Sequence, residues 1–380
     1  MLDKKIIAQR FTRFFAVLAL TAVCSFSLSA QDSTREIDEE SKGFDAGEMI
    51  MHHIADAHEI HFIGDLTIYL PIIVYSENGI DVFSSSHFYH NEHHFENTTP
   101  NGEVADEHYF KHGDYVMYHE HIYMTGPDGG VSFDPETGEV VNATVTDLSI
   151  TKSVAGLFLT CAILLLIFVS MARAYGKRKG QAPKGLQSFM EPLVLFIRDE
   201  VAIPSIGAHK ADRYMPFLLT VFFFIWIANM LGLIPFIGGF NVTGTISVTL
   251  VLAAIVFIIT TFSGNKHYWG HLLWPPGVPL PIKFILVPIE VLGIFIKPAV
   301  LMIRLTANIT AGHIIILSFV SLVLIFSQAG VGAEVGVGIG STLFMIFMFF
   351  IELLVAFLQA YVFTLLAALY FGDATQEAHH

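Results

Sequence analysis

Polar and apolar positions divide this chain of 380 residues into three regimes. Up to residue 30, a basic start with Lys4, Lys5, Arg10 and Arg13 runs into an apolar stretch over 14–28 and then Ser29-Ala30-Gln31-Asp32. That order predicts a secretory signal peptide cleaved near Ala30. Residues 31–147 are polar. Short runs in them predict strands over 69–75, 80–83, 121–125, 131–133 and 140–145, separated by the turn formers Glu77-Asn78-Gly79 and Pro127-Asp128-Gly129-Gly130. From 148 onward apolar helical segments dominate, over 154–172, 215–234, 245–262, 282–326 and 341–371.

Polar residues between these segments set the orientation. The first span is followed at once by Arg173, Lys177, Arg178, Lys179 and Lys184, which places that end in the cytoplasm and the polar region outside. Residues 185–210 mix Glu191, Arg198, Asp199 and Glu200 with apolar positions, as an interfacial amphipathic helix does. The second and third spans are joined by a short Gly-rich connection, and Trp269 and Trp274 in the loop 263–279 suit interfacial anchoring. The segment 282–326 would extend roughly 67 Å at ~1.5 Å per residue, about twice the hydrocarbon thickness. It must tilt steeply, lie partly in the membrane plane or bend near Pro288 or Pro298. The last segment is also over-long, and a Gly-rich loop over 329–340 is expected before it. The expected fold is an all-α membrane protein with five transmembrane helices after signal cleavage, the last two long and steeply tilted, plus a small β-rich or partly disordered N-terminal domain. The expected divisions are 1–30, a His-rich acidic extracytoplasmic domain over 31–147, and a membrane domain over 148–380.

Composition agrees with this division. Mean hydropathy is +0.60 with 14% charged residues, the profile of an integral membrane protein. The net charge of −14 comes mostly from acids before residue 150, which argues against a nucleic-acid partner. Cys24 and Cys161 each sit in an apolar run, so neither a disulfide framework nor a thiolate metal cluster is expected.

The last two spans differ from the others in carrying polar residues at depth: Glu290, Lys297, Arg304, Asn308 and His313 in one, Glu352 and Gln359 in the other. Glu290, Lys297, Arg304 and Ala311 recur at intervals of seven, drifting ~20° per step, and Asn308 falls near the Arg304 face. His313 lies on the opposite face. A charge at bilayer depth costs at least ~2.5–3.5 kcal/mol, so Arg304 needs a purpose there. His313, Glu352 and Glu290 are groups that exchange protons, whereas an arginine holds its proton and serves as a fixed cation. Such a cation attracts a carboxylate, and a partner subunit that presents acids to the Arg304 face would supply one. No GxxxxGK[ST] phosphate loop occurs, so nucleotide chemistry is not expected in this chain, nor is a cofactor.

Twelve of the eighteen histidines lie in 31–147, as His52-His53, His58, His61, His87, His90, His93-His94, His108, His112, His119 and His121. This spacing suits zinc or copper binding, proton buffering near a channel mouth, or plain solvation. It motivates an alternative function, a metal-ion transporter with a His-rich capture domain.

The stretches IKPAVLMIRLTANITAGH (296–313) and ELLVAFLQAYVFTLLAALY (352–370), supported by NMLGLIPF (229–236) and NVTGTISVTLVLA (241–253), resemble subunit a of the F-type ATP synthase membrane sector. The resemblance covers approximately 145–378. It implies a non-catalytic stator whose two long C-terminal helices lie against a rotating ring of c subunits, with proton half-channels to either side of the membrane. On that reading Arg304 separates the channels, and Glu290, Asn308, His313, Glu352 and Gln359 match their polar positions. Implied partners are the c-ring, the peripheral-stalk b subunits, the soluble catalytic head and membrane lipids. The implied location is a bacterial inner membrane, with the N-terminal domain periplasmic and the C-terminus cytoplasmic. Many relatives have a glutamate nine residues after the arginine and a histidine seven before the last-helix glutamine; here His313 and Glu352 exchange those places. If the two side chains face each other, the exchange keeps one hydrogen-bonded pair. Thr306-Ala307 stands where relatives often have Phe-Gly.

Overall fold

The computed structural model describes residues 55–376 apart from 62–66, 77–78, 99–103, 127–128, 135–136, 138, 178–180, 235–238 and 328–330, together with 47 and 50. The expected signal peptide lies outside the described residues. The β-rich region comprises β1 (Glu59–His61), β2 (Thr67–Tyr69), β3 (Pro71–Ser76), β4 (Gly79–Ser84), the helical turn α1 (Ser86–Tyr89), β5 (Glu92–Thr98), β6 (Val104–His112), β7 (Tyr115–Tyr118), β8 (His121–Met124) and β9 (Thr146–Asp147). They form a two-stranded sheet β1-β2, a three-stranded sheet β4-β3-β9 and a four-stranded meander β5-β6-β7-β8. Alternation along β3 buries Ile72 and Val74, which meet Phe88, Tyr115, Met117 and Ile122 in a small core. The hairpin between β3 and β4 turns at Gly79, whose φ of 121° suits a residue without a Cβ.

Among the described residues five helices are long and apolar enough to cross a membrane: α2 (Lys152–Lys177), α5 (Ala208–Leu233), α6 (Ile246–Ser263), α8 (Leu280–Ser327) and α9 (Val331–Thr375). Between α2 and α5 lie α3 (Leu186–Phe196), a π-helical turn (Ile197–Ala202) and the short α4 (Ile203–Ile206), ended by Gly207 at a φ of 93°. This segment turns Met190, Ile197, Val201, Ala202 and Ile206 into the bundle core. The helix α7 (Lys266–Leu273) crosses the loop after α6, with Asn265 accepting a hydrogen bond from the Tyr268 amide as its N-cap. Helix α5 is central: Leu218, Phe222, Phe223 and Ile225 pack with Leu301 and Leu305 of α8 and Phe363, Ala367 and Phe371 of α9.

Two elements depart from the sequence reading or settle it. Helix α8 runs unbroken for 48 residues with Pro288 and Pro298 inside it, so neither proline ends the segment. The Gly-rich stretch expected as a loop over 329–340 is a correction: it is helical from Val331, and α9 spans 45 residues. Glycine disfavours a helix by about 1 kcal/mol per residue in water. In hydrocarbon an unpaired backbone group costs several kcal/mol, so the helix prevails.

The β-rich region is seated on the helices. Asp56 Oδ1 accepts from the Ser153 amide at 2.8 Å, a carboxylate cap on the first turn of α2, and the Lys152 amide donates to the Ala57 carbonyl at 2.9 Å. Ser153 Oγ is 2.9 Å from Thr245 Oγ1 at the start of α6. Ile60 and Leu70 share a core with Ala228 of α5 and with Phe240 and Val242 of the α5–α6 connection. Beside this seam His58 is 1% exposed, with Nδ1 3.4 Å from Glu120 and Nε2 3.6 Å from Asp147. Burial alone would lower the His58 pKa; hydrogen bonds and charge from Asp147 and Glu120 outweigh it and raise the value to about 9. Asp147 is lowered: burial acts upward, and His58 and Ser149 more than offset it.

The signs give opposite edges to one stability window. The raised His58 stabilises fully below its ordinary pKa of 6.5, and that contribution is lost as pH climbs through about 9. The lowered Asp147 stabilises above its ordinary value of 3.8 and loses this as pH falls further. The expected result is a melting temperature for the β-rich region that is flat between these edges and falls by several degrees from pH 7 to 9.5. His58→Gln should be less stable throughout the plateau and lack the alkaline fall. Near-ultraviolet circular dichroism against temperature at stepped pH checks it.

Candidate functional site

The polar residues of α8 and α9 meet along an antiparallel helix pair. Contacts mark the register: Phe319 lies on Phe344 at 4.1 Å between ring centroids, Gly312 faces Glu352, Arg304 faces Gln359, and Lys297 faces Tyr370. The Glu352 carboxyl lies over Gly312, in space that a Cβ added there would overlap.

Arg304, Ala307, Asn308 and Ala311 form an exposed strip on α8. It is bordered by the exposed apolar residues Val300 and Ile303 of α8 and Leu354 and Leu358 of α9. Among the described residues no acidic group lies within ion-pair distance of the Arg304 guanidinium. Its backbone is held instead: Gln359, itself 6% exposed, donates from Nε2 to the Arg304 carbonyl at 2.7 Å. The arginine is thus fixed at its main chain and free at its charge.

Glu352 is 8% exposed, and among the described residues neither carboxyl oxygen has a hydrogen-bond partner. His313 is half-buried on the other side of α8, toward Gly232 of α5 and the Phe240 carbonyl. The condition for a His313–Glu352 hydrogen bond, that the two side chains face each other, is therefore not met. The two residues sit on neighbouring positions of the helix pair, but α8 turns them to different neighbours. Glu290 is exposed farther along α8. It belongs to a second polar group: Lys297 Nζ lies 3.9 Å from Asp373 and 5.3 Å from the Tyr370 ring centroid. Tyr268 of α7 lines the same cleft, its phenol pushed up by burial and by the Asp373 and Glu290 carboxylates. Arg304 and Asn308 thus share a strip, Arg304 and Gln359 touch, and Glu290 stands apart from both.

Sequence reading missed a set of buried polar residues in the earlier spans. Asn229 of α5 is 2% exposed; it donates to the Ala356 carbonyl of α9 at 3.2 Å and accepts from Thr243 Oγ1 at 2.5 Å. Thr249 of α6 bonds Thr306 of α8 at 2.7 Å, two residues beyond Arg304. Each is a single polar residue in an apolar run, without the repeat that marked Arg304. Their one signal was their place in NMLGLIPF (229–236) and NVTGTISVTLVLA (241–253). Among the described residues no three of His, Cys, Asp and Glu converge to hold a metal ion. The histidine pairs in the β-rich region, such as His87 with His112 at 4.7 Å and His94 with His108 at 6.1 Å between ring centroids, stay pairs.

The family model described as ATP synthase A chain matches residues 154–372, and one described as a domain of unknown function (DUF8433) matches 49–148. The chain is 46% identical over 276 residues to "ATP synthase subunit a 2" of Chlorobaculum tepidum, covering 70% of this chain and 74% of that one. It is 40% identical over 294 residues to "ATP synthase subunit a" of Chlorobium phaeobacteroides, covering 74% and 80%. It is 44% identical over 238 residues to the protein so named from Chloroherpeton thalassium, covering 62% and 69%.

Proposed function

This chain belongs to the ATP synthase A chain family, and on that premise we propose that it is the stator subunit that passes protons to and from a rotating ring of membrane carboxylates. The observation that carries the reading is the exposed Arg304 strip. A permanent cation on an apolar helix face, held by its backbone and without an acidic partner among the described residues, is stable in lipid only if a carboxylate arrives from another chain.

A ring carboxylate that reaches the guanidinium is held ionised, so it releases its proton on one side of Arg304 and takes one up on the other. Small Ala307 and Ala311 leave room for the ring helix to approach. His313 and Glu352 serve the path toward the face that carries the β-rich region, together with Asn229 and Thr249. Glu290, with Lys297, Tyr370 and Asp373, serves the path toward the opposite face, and Asn308 and Gln359 flank the crossing point. The positive-inside pattern after α2 supports an outward-facing β-rich region in a bacterial inner membrane. A 48-residue helix measures about 72 Å at ~1.5 Å per residue and must lie steeply inclined to the membrane normal, alongside the ring. Nucleotide chemistry belongs to the soluble head, which acts through the peripheral-stalk subunits and the ring. The signal peptide over 1–30 and the division near 147 are part of the same proposal.

Cross-linking tests it. Asn308→Cys and Ala311→Cys, in a Cys161→Ala background, should form disulfides with cysteines placed beside the ring carboxylate when native membranes are oxidised. Leu166→Cys on α2 is exposed but lies on a different helix and should not. Absence of ring cross-links from the Arg304 strip would sink the assignment.

A further inference from the structure

The β-rich region has a buried ionisable layer where it meets the helices. Three groups are graded by exposure: Asp147 is 32% exposed at its side chain, Glu120 12%, and His58, which bridges them, 1%. Tyr89 donates to the same Glu120 oxygen at 3.2 Å. His58 Nε2 is enclosed and lies 3.6 Å from Asp147 Oδ2. Inward of these, Asp56, Glu59 and Glu120 all act electrostatically on Lys152, the first residue of α2. Lys152 in turn lies within electrostatic reach of His313. His313 stands beside Gly232, whose neighbour Phe240 is in the core that Ile60 and Leu70 of the β-rich region complete.

We propose that the β-rich region forms the mouth of the proton path on its face of the membrane, with Asp147, His58 and Glu120 leading from solvent to the seam above Lys152 and His313, where their carboxylates concentrate protons. This rests on the proton-conducting reading above and adds to it a role for 49–148. The seam is closed by apolar packing from Ile60, Leu70, Phe240 and Val242, so charge is not smeared into bulk water there. The groups facing His58 and Lys152 are Asp56 before β1, Glu59 on β1, Tyr89 on α1, Glu120 between β7 and β8, Asp147 on β9 and His313 on α8. Among the described residues four carboxylates against one lysine and one histidine leave the layer negative, and His58 remains charged at neutral pH, its pKa raised to about 9 by Asp147 and Glu120 over the opposing effect of burial. A negative low-dielectric mouth raises the local concentration of cations, protons included. His58 is a positioning residue: it ties the β9 return strand to the β7–β8 turn and keeps both acids at the seam.

The test uses the whole synthase in liposomes, with the potential clamped and ATP synthesis followed as the pH on the β-rich side is varied. Glu120→Gln and Asp147→Asn keep shape and remove charge. Each should require a proton concentration about threefold higher for half-maximal rate, a shift of roughly half a pH unit toward acid. The maximal rate in acid should be unchanged, and Glu120→Asp should restore the wild-type profile. Profiles that superimpose on wild type for both variants would overturn the proposal. So would a rate reduced by the same factor at every pH, which marks damaged seating and no role at the mouth. Arg304→Ala in the same assay reports separately on the conducting function: if it abolishes synthesis while the two charge variants do nothing, the mouth assignment alone fails.

Discussion

Arg304→Ala is expected to abolish ATP-driven proton pumping in membranes while the detached head hydrolyses ATP at its normal rate. The size of the effect follows from the charge. An ion pair at 4 Å in an effective dielectric near 20 is worth about 4 kcal/mol, roughly three decades in the fraction of ring carboxylate held ionised. Pumping should therefore fall at least a hundredfold. Passive proton leakage through the head-stripped membrane sector should rise, because no fixed cation then interrupts the polar route between the two sides. Arg304→Lys keeps a cation but loses the planar fork and the permanence of the charge, and should retain only a few per cent of pumping. Dye quenching in inverted vesicles measures both variants. A variant lacking the guanidinium that pumped at the wild-type rate would refute the stator reading.

Glu352→Gln is expected to lower pumping by about tenfold or more without loss of assembly or thermal stability. The carboxyl is buried, has no hydrogen-bond partner among the described residues and lies against Gly312. A structural carboxylate would be paired, and removing one from a pair costs about 3–5 kcal/mol. Here there is no pair to break, so the group's contribution is its ability to change protonation, which glutamine lacks. Glu352→Leu sharpens the contrast: it relieves an unsatisfied polar group worth about 1–3 kcal/mol, so the complex should withstand heat as well as wild type or better while pumping is lost. Gly312→Val reaches the same position from α8 by steric overlap and should impair both properties. Stability and pumping that fell together in Glu352→Gln would identify a packing role and remove this residue from the path.

The sequence revealed helices better than strands, for a physical reason. The five spans are long apolar runs, and their ends were found within a few residues for α6 and for the start of α8. β5, β6 and β7 were not foreseen. β5 reads EHHFENT and β6 VADEHYFKH, with few β-branched residues and no clear alternation. Their pairing is fixed by register across the meander, which a single strand does not announce. The Gly-rich start of α9 was misjudged because propensities measured in water were applied to a segment of a membrane helix. That Arg304 and Asn308 share a face of α8 was legible from their spacing of four. The separation of His313 from Glu352 was not, since it depends on how α5 and α8 rotate against each other. His58 shows the same limit: among twelve histidines of 31–147 nothing in the spacing singled it out, and only burial between two acids from distant turns does so.

The bond from Gln359 to the Arg304 carbonyl separates anchorage from reach. Because the tether grips the main chain, the long side chain can swing through its rotamers without loosening the seam between the two helices. A cation tied by its own nitrogens would have to let go each time a carboxylate came by. On the stator reading the scaffold would stay locked while the charge followed a passing carboxylate for part of an arc and sprang back for the next one.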